Sequence, residues 1–174
     1  MFPSNNLLAL VRAYDLFTPD VKSEEEFRMQ SVLFLTDLEP YIKPVRCLFE
    51  GYDRKCKHLQ NRFDALLSVA FDVGLDVLQS TSLPDLVMRD APKQQVITAI
   101  NSIPTFSGTM RQDIVLQMQR YGYPSLSRRQ AEAELYCGRI YFSIGRSPDP
   151  VTGDIAYRPH VLHPFLRFLY CAPT

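Results

Sequence analysis

The sequence predicts a mainly α protein: a bundle-like helical body followed by a small β-hairpin. Three observations support this class. Apolar residues recur at steps of three and four, serine and proline residues mark helix starts and stops, and a late segment changes to aromatic and branched residues. We expect a single domain over 1–174, with the helical body at 1–122 and a helix plus hairpin at 123–174.

The first two helices are predicted from their caps. Ser4 or Asn5 caps a short helix, and Ser23 begins a second one whose first turn carries three glutamates at the positive end of the helix dipole. Proline lacks a backbone N–H and restricts the residue before it. Pro40 and Pro44 are therefore expected to interrupt the second helix.

The clearest helix covers 55–79 and is predicted to be the central core helix. Its apolar residues at helical spacing are Leu59, Phe63, Leu66, Leu67, Ala70, Val73 and Val77. Gly74 is expected to bend or divide it. A narrow acidic stripe occupies another face and is expected to be solvated. Its members are Asp64, Ser68, Asp72 and Asp76.

Two shorter helices are predicted at 92–103 and at 107–121, the second capped by Ser107. Residues 139–144 are rich in aromatic and branched side chains, which favours a strand, and 154–157 are expected to return as its partner. The turn-rich segment between them predicts a hairpin loop.

Composition limits the class of protein. Hydrophobic residues make up 46% of the chain and charged residues 22%, which is typical of a folded domain. The 19 basic residues are balanced by 19 acidic ones, so a ribosomal or chromatin-type protein is not expected. No apolar run is long enough to span a membrane. Four cysteines do not form a disulfide framework, and the N-terminal segment does not resemble a signal peptide, so a cytoplasmic location is expected.

One segment carries a family resemblance, in three groups of residues. They are Arg111, Asp113 and Leu116; Gly122 with Ser127-Arg128-Arg129-Gln130-Ala131; and Gly138-Arg139-Ile140. In this pattern residues 111–146 resemble the S4-type RNA-binding domain, a small unit of two helices and a hairpin. The resemblance implies that Arg128 and Arg129 are exposed at a helix start and face phosphate, with Arg139 adding a third cation.

A second basic cluster lies at 43–62, where charged residues alternate with aromatic ones. Such a composition suits an anionic partner, whether nucleic acid, phospholipid head groups or an acidic protein, although it also solvates a helix start. The candidate anion-binding residues are therefore Arg128, Arg129 and Arg139, together with Arg46, Arg54, Lys55 and Lys57.

Sites for catalysis, metals and cofactors find little support in the sequence. Cys47, Cys56 and His58 do not have zinc-ligand spacing, so no metal is expected. There is no phosphate-cradling or dinucleotide-binding motif, so no cofactor is expected. A nucleophilic pair of Cys137 with His160 or His163 is the single catalytic arrangement to consider, and a buried inert thiol is the alternative.

The function that this pattern favours is non-enzymatic. We expect a helical interaction or scaffolding protein, such as an accessory factor of a virus or of a multi-subunit assembly, that binds a protein partner or a second copy of itself. RNA binding through 111–146 is the first alternative. A small enzyme with a dispersed Cys/His site is the second.

Overall fold

The computed structural model describes residues 1–15 and 18–162 of the chain. Within these ranges eight helices precede two strands, and the mainly α class with a C-terminal hairpin is confirmed. The elements are α1 Asn5–Tyr14, α2 Glu24–Cys47, α3 Leu59–Val73, α4 Leu75–Gln79, α5 Leu83–Met88, α6 Lys93–Ser102, α7 Gln112–Arg120, α8 Arg128–Tyr136, β1 Tyr141–Pro148 and β2 Ile155–Leu162. In the described part of the chain, none of the helices combines the length and apolar character needed to cross a bilayer.

Helix α3 is the centre of the structure, as its apolar spacing predicts. Every residue from 61 to 70 is buried, and α3 packs against α1, α2 and α8. Gly74 separates α3 from α4 with a backbone φ of 86°, a conformation that glycine adopts without steric strain. Residues 55–58 lie outside the helix.

Helix α2 is continuous from Glu24 to Cys47, so the expected interruption at Pro40 and Pro44 is wrong. Each proline removes one donor from the helix, which leaves the carbonyl groups of Thr36 and Pro40 without their usual partner. Both carbonyls belong to exposed residues, so solvent is available to replace the missing donors. Packing of one α2 face on α3 holds the helix together across both positions.

The hairpin pairs β1 with β2 antiparallel, from Tyr141 opposite Leu162 to Pro148 opposite Ile155. Both strands extend beyond their predicted ends, because β1 continues into the turn-rich segment as far as Pro148 and β2 continues past 157 to Leu162. Helix α1 packs on the hairpin, where Asn6 Oδ1 accepts a hydrogen bond from Phe142 N at 3.1 Å.

Serine caps three of the helices. The Ser4, Ser23 and Ser127 side chains each accept a backbone N–H, and Ser127 forms a full capping box with Gln130. The prediction that Ser107 caps a helix is wrong, because α7 begins only at Gln112. The Ser107 hydroxyl instead donates a hydrogen bond to Asp72 at 2.9 Å.

Gly138 ends α8 in close contact with the loop before α3. Its φ is 70°, and a Cβ atom built at this position would lie 2.4 Å from the His58 ring. Two features therefore favour glycine at the exit from α8: the left-handed backbone conformation and the narrow space beside the His58 ring.

Candidate functional site

The two arginines that begin α8 lie in the core and form ion pairs with acidic side chains of the chain. Arg128 Nε donates to Glu132 Oε1 at 3.0 Å, and its Nη1 lies 3.4 Å from Asp72 Oδ1. Arg129 pairs with the same two carboxylates through its terminal nitrogens. We call Asp72, Arg128, Arg129 and Glu132 the buried ion cluster; its two positive and two negative charges balance.

Hydroxyl groups complete the hydrogen bonding of the buried ion cluster. Ser68 Oγ donates to Glu132 Oε1 at 2.6 Å, and Thr105 Oγ1 donates to Asp72 Oδ2 at 2.8 Å. Although burial opposes its ionisation, the charge of Arg128 and the hydroxyl donors hold the pKa of Asp72 below its ordinary value. Each charge therefore has an opposite charge and further hydrogen bonds, which a buried ion pair requires.

The prediction that Arg128 and Arg129 are exposed is wrong. Their relative exposures are 5% and 3%, since the first turn of α8 packs on α3 and carries both side chains into contact with Asp72. The expected solvated stripe is wrong for three of its four members. Ser68 and the Asp72 carboxylate are buried against α8, and Asp64 is buried at the cap of α1. Asp76 is exposed, as predicted.

The other predicted cations remain near the surface. Arg139 is exposed and pairs with Glu134 at 3.4 Å. The contact of Gly138 with His58 brings Arg139 to the same end of the molecule as the 54–57 loop. We call this region the basic end; its exposed cations are Arg54, Lys55, Lys57 and Arg139. Arg46 is half-buried instead, with its guanidinium 5.1 Å from the centre of the Phe2 ring.

The candidate nucleophile lies in the core. Cys137 is buried at the end of α8, and burial raises the pKa of its thiol, which disfavours the reactive thiolate. His160 lies on β2 beside Gly145, and burial lowers its pKa. His163 lies outside the described residues.

Helix α2 has apolar side chains on two opposite faces. Phe34 points inward, where its ring meets the Phe71 ring edge to face at 5.6 Å, and Leu38 is fully buried. Met29, Val32 and Leu33 lie on the other side of the helix and are 61%, 62% and 61% exposed. Met29, for example, precedes Leu38 by about two and a half turns, so the two side chains point in opposite directions. We call these three residues the α2 stripe.

A groove of about 1080 Å³ runs between the hairpin, α7 and the starts of α1 and α3. A second ion network lies beside it, and two members of that network, Asp113 and Arg158, line the groove. Arg111 makes paired hydrogen bonds to Asp20 at 2.7 and 3.0 Å and also to Asp113, while Arg158 contacts Asp20 at 2.6 Å and Asp149 at 3.1 Å. This network joins α7 to β2 and to the segment before α2.

Asp64 is a buried carboxylate that joins α3 to the cap of α1. It accepts hydrogen bonds from the Ser4 backbone N–H at 3.1 Å, from the Ser4 hydroxyl, and from Gln60 Nε2 at 3.1 Å. Burial is the larger effect and raises the pKa of Asp64 to about 6, from 3.8, although the Ser4 and Gln60 bonds lower it.

This pKa predicts a specific pH dependence of stability. Because the pKa of Asp64 is higher in the folded state, the folded protein binds this proton more tightly than the unfolded chain between pH 3.8 and about 6. The contribution of Asp64 is therefore most favourable at low pH and is lost as pH rises through about 6. Relative to Asp64→Asn, wild-type protein is expected to gain roughly 2–3 kcal/mol in unfolding free energy between about pH 7.5 and pH 4.

Urea unfolding of both proteins across this range measures the difference. The Asp64→Asn variant is the reference, because it lacks the titrating group at this position. The other carboxylates titrate alike in both proteins, so their contributions cancel in the difference. A difference that stays constant with pH would contradict the raised pKa of Asp64.

Comparison with family models, curated proteins and solved structures finds no match to the chain. The surfaces of the molecule are therefore the guide to its function. The α2 stripe was missed in the sequence, although Met29, Val32 and Leu33 have the i, i+3, i+4 spacing of a second apolar face on the same helix.

Proposed function

We propose that this protein acts by binding another protein chain, with the α2 stripe as the docking surface. The observation that carries the proposal is the pair of opposite apolar faces on α2. A helix needs one apolar face to pack on its own core, and the inner face of α2 meets that need. The outer face presents three adjacent large apolar side chains to solvent, and such a patch is typical of interaction sites.

The charges around the α2 stripe favour a basic partner. Residues 24–39 contain the five acidic side chains Glu24, Glu25, Glu26, Asp37 and Glu39. The one cation in this segment is Arg28, and it already pairs with Glu24. Two copies of α2 packed together would bring acidic ends close in the parallel and in the antiparallel orientation, and like charges oppose such pairing. We therefore propose an amphipathic helix of a different protein, with apolar residues on one face and lysine or arginine beside them.

RNA binding is the second candidate function, and the basic end favours it. Four exposed cations lie there, and Arg139 is the member that belongs to the segment with the S4-type pattern. With Arg128 and Arg129 held in the core, the basic end provides fewer phosphate contacts than that pattern implies. A cytoplasmic setting suits both candidates, since Cys47, Cys56 and Cys137 are free thiols.

A titration with defined ligands tests the first proposal. The probe is a labelled helical peptide with leucine on one face and lysine beside it, and the same peptide with glutamate for lysine is the charge control. We expect the basic peptide to bind and the double variant Val32→Glu/Leu33→Glu to weaken binding at least about tenfold, equivalent to about 1.4 kcal/mol. Val151→Glu, at an exposed apolar residue in the hairpin loop, is the matched control and is expected to bind normally.

Three results would overturn the docking surface. Equal binding of the acidic peptide would show that the acidic residues around the α2 stripe do not select a basic partner. Unchanged binding by the α2 variant would show that the peptide contacts another surface. A dimer in light scattering that the α2 variant dissociates would identify a second copy as the occupant. A labelled single-stranded RNA in the same titration tests the alternative; salt-sensitive binding that the α2 variant retains would favour RNA.

A further inference from the structure

The groove beside the hairpin carries positive charge that the described part of the chain does not neutralise. Arg120 of α7 and Arg146 of β1 line it, are exposed, and form no ion pair with the described residues. Asp113 is the carboxylate among the described lining residues, and Arg111 already pairs with it. The groove therefore offers two arginines, one from each wall, to an anion.

Two buried donors without partners lie in the walls of the same groove. Asn61 and Arg158 are 5% and 7% exposed, and neither Asn61 Nδ2 nor Arg158 Nε has a hydrogen-bond partner among residues 1–15 and 18–162. A buried donor without an acceptor is unfavourable by about 1–3 kcal/mol, and folded proteins normally satisfy such groups with protein, water or ligand. Both groups are donors, so the missing complement is an acceptor.

The shape and remaining lining define the size of the ligand. The volume of about 1080 Å³ is at the upper end of small-molecule sites. Leu116, which is partly exposed, and Ile144 add apolar surface between the polar groups. Arginine recognises phosphate through its planar set of donors, and His160 adds a further polar group on β2.

From this geometry we infer that the groove binds a phosphate monoester of nucleotide size. Its phosphate lies between Arg120 and Arg146, and its uncharged part lies along Leu116 toward Asn61. This site is separate from the α2 stripe and does not depend on the proposed protein partner. Two kinds of ligand carry such a phosphate monoester: a free nucleotide and an RNA with a 5′ phosphate.

Calorimetry on the full chain tests the site with AMP and UMP as probes, and with adenosine, uridine and inorganic phosphate for comparison. We expect saturable binding of the nucleotides, with a Kd below about 1 mM, and binding at least about tenfold weaker for the uncharged nucleosides. The variant Arg120→Ala/Arg146→Ala is expected to lose at least about tenfold in affinity. Arg28→Ala/Arg89→Ala removes two exposed arginines that lie outside the groove and outside the basic end as defined above, and it is the matched control, with affinity unchanged.

A separate NMR measurement tests where on the protein the nucleotide binds. The side-chain amide resonance of Asn61 is expected to shift on addition of AMP, which a merely electrostatic association at the surface would not produce. A 5′-phosphorylated RNA that binds more tightly than AMP, while its 5′-hydroxyl form does not bind, would identify the RNA source. Absence of saturable binding by every phosphate probe, or equal loss in both double variants, would overturn the proposal.

Discussion

Replacement of Glu132 by alanine is expected to lower the free energy of unfolding by about 3–5 kcal/mol, the range measured when one partner of a buried ion pair is removed. Glu132 is fully buried and pairs with both Arg128 and Arg129. Its loss leaves two guanidinium groups in the core with Asp72 as their remaining carboxylate, and it removes the acceptor of the Ser68 hydroxyl. This deficit of negative charge is the physical cause of the effect.

Glu134 provides a matched control in the same helix. It is only partly buried and pairs with the exposed Arg139, so Glu134→Ala is expected to change stability by about 0.5 kcal/mol or less. Chemical denaturation of both variants measures the two values. Similar small effects for Glu132 and Glu134 would show that the buried ion cluster is not formed in solution.

The buried ion cluster also changes how RNA binding has to be tested. Alanine at both Arg128 and Arg129 would leave Asp72 and Glu132 without their cations and is expected to unfold the protein. Loss of RNA retention in that variant would therefore report unfolding. Lys55 and Lys57 at the basic end are exposed, and their replacement tests an anionic partner with the fold intact.

Replacement of Gly138 by alanine is expected to destabilise the protein by about 2–4 kcal/mol. A left-handed backbone is unfavourable for alanine by roughly 1–2 kcal/mol, and the added Cβ collides with the His58 ring. Gly122→Ala is the matched control, because Gly122 has a φ of 74° and nothing within 4 Å of the added Cβ. The control is expected to show only the backbone contribution, roughly 1–2 kcal/mol.

A double-mutant cycle separates the two causes at Gly138. In the background His58→Ala the collision is absent, so Gly138→Ala is expected to have an effect close to that of Gly122→Ala. Thermal or urea unfolding of the four proteins supplies the cycle. An unchanged effect of Gly138→Ala in the two backgrounds would show that the His58 ring moves aside freely.

Local signals in the sequence predicted the elements well. The apolar spacing around Leu66 identified the central helix, and the caps at Ser4 and Ser23 placed two helix starts. The error at Pro40 has a physical cause, because tertiary packing of α2 on α3 outweighs the local preference of proline. In each of these cases the relevant interaction is either local or a single packing contact.

The candidate site was less accessible to prediction because its charges meet across the fold. Asp72 and Arg128 lie 56 residues apart, and neither the polar spacing on α3 nor the arginine pair on α8 shows that the two helices pack together. Each set alone has the pattern of a solvated surface. One signal was available in the sequence: the two helices carry complementary charges. Helix α3 has acidic residues on one face, and α8 begins with two arginines.

The arrangement of charges in the buried ion cluster has a consequence for how the C-terminal part docks. A slide of α8 along α3 by one helical turn, about 5.4 Å, would separate Arg128 and Arg129 from Asp72 while keeping all of them out of water. Apolar contacts alone tolerate such a shift, because one leucine replaces another at similar positions. Paired charges do not, so the cluster selects one register among several that the apolar core permits. The hairpin that follows α8, with Arg139 and the groove, is thereby held in a single position relative to the helical body.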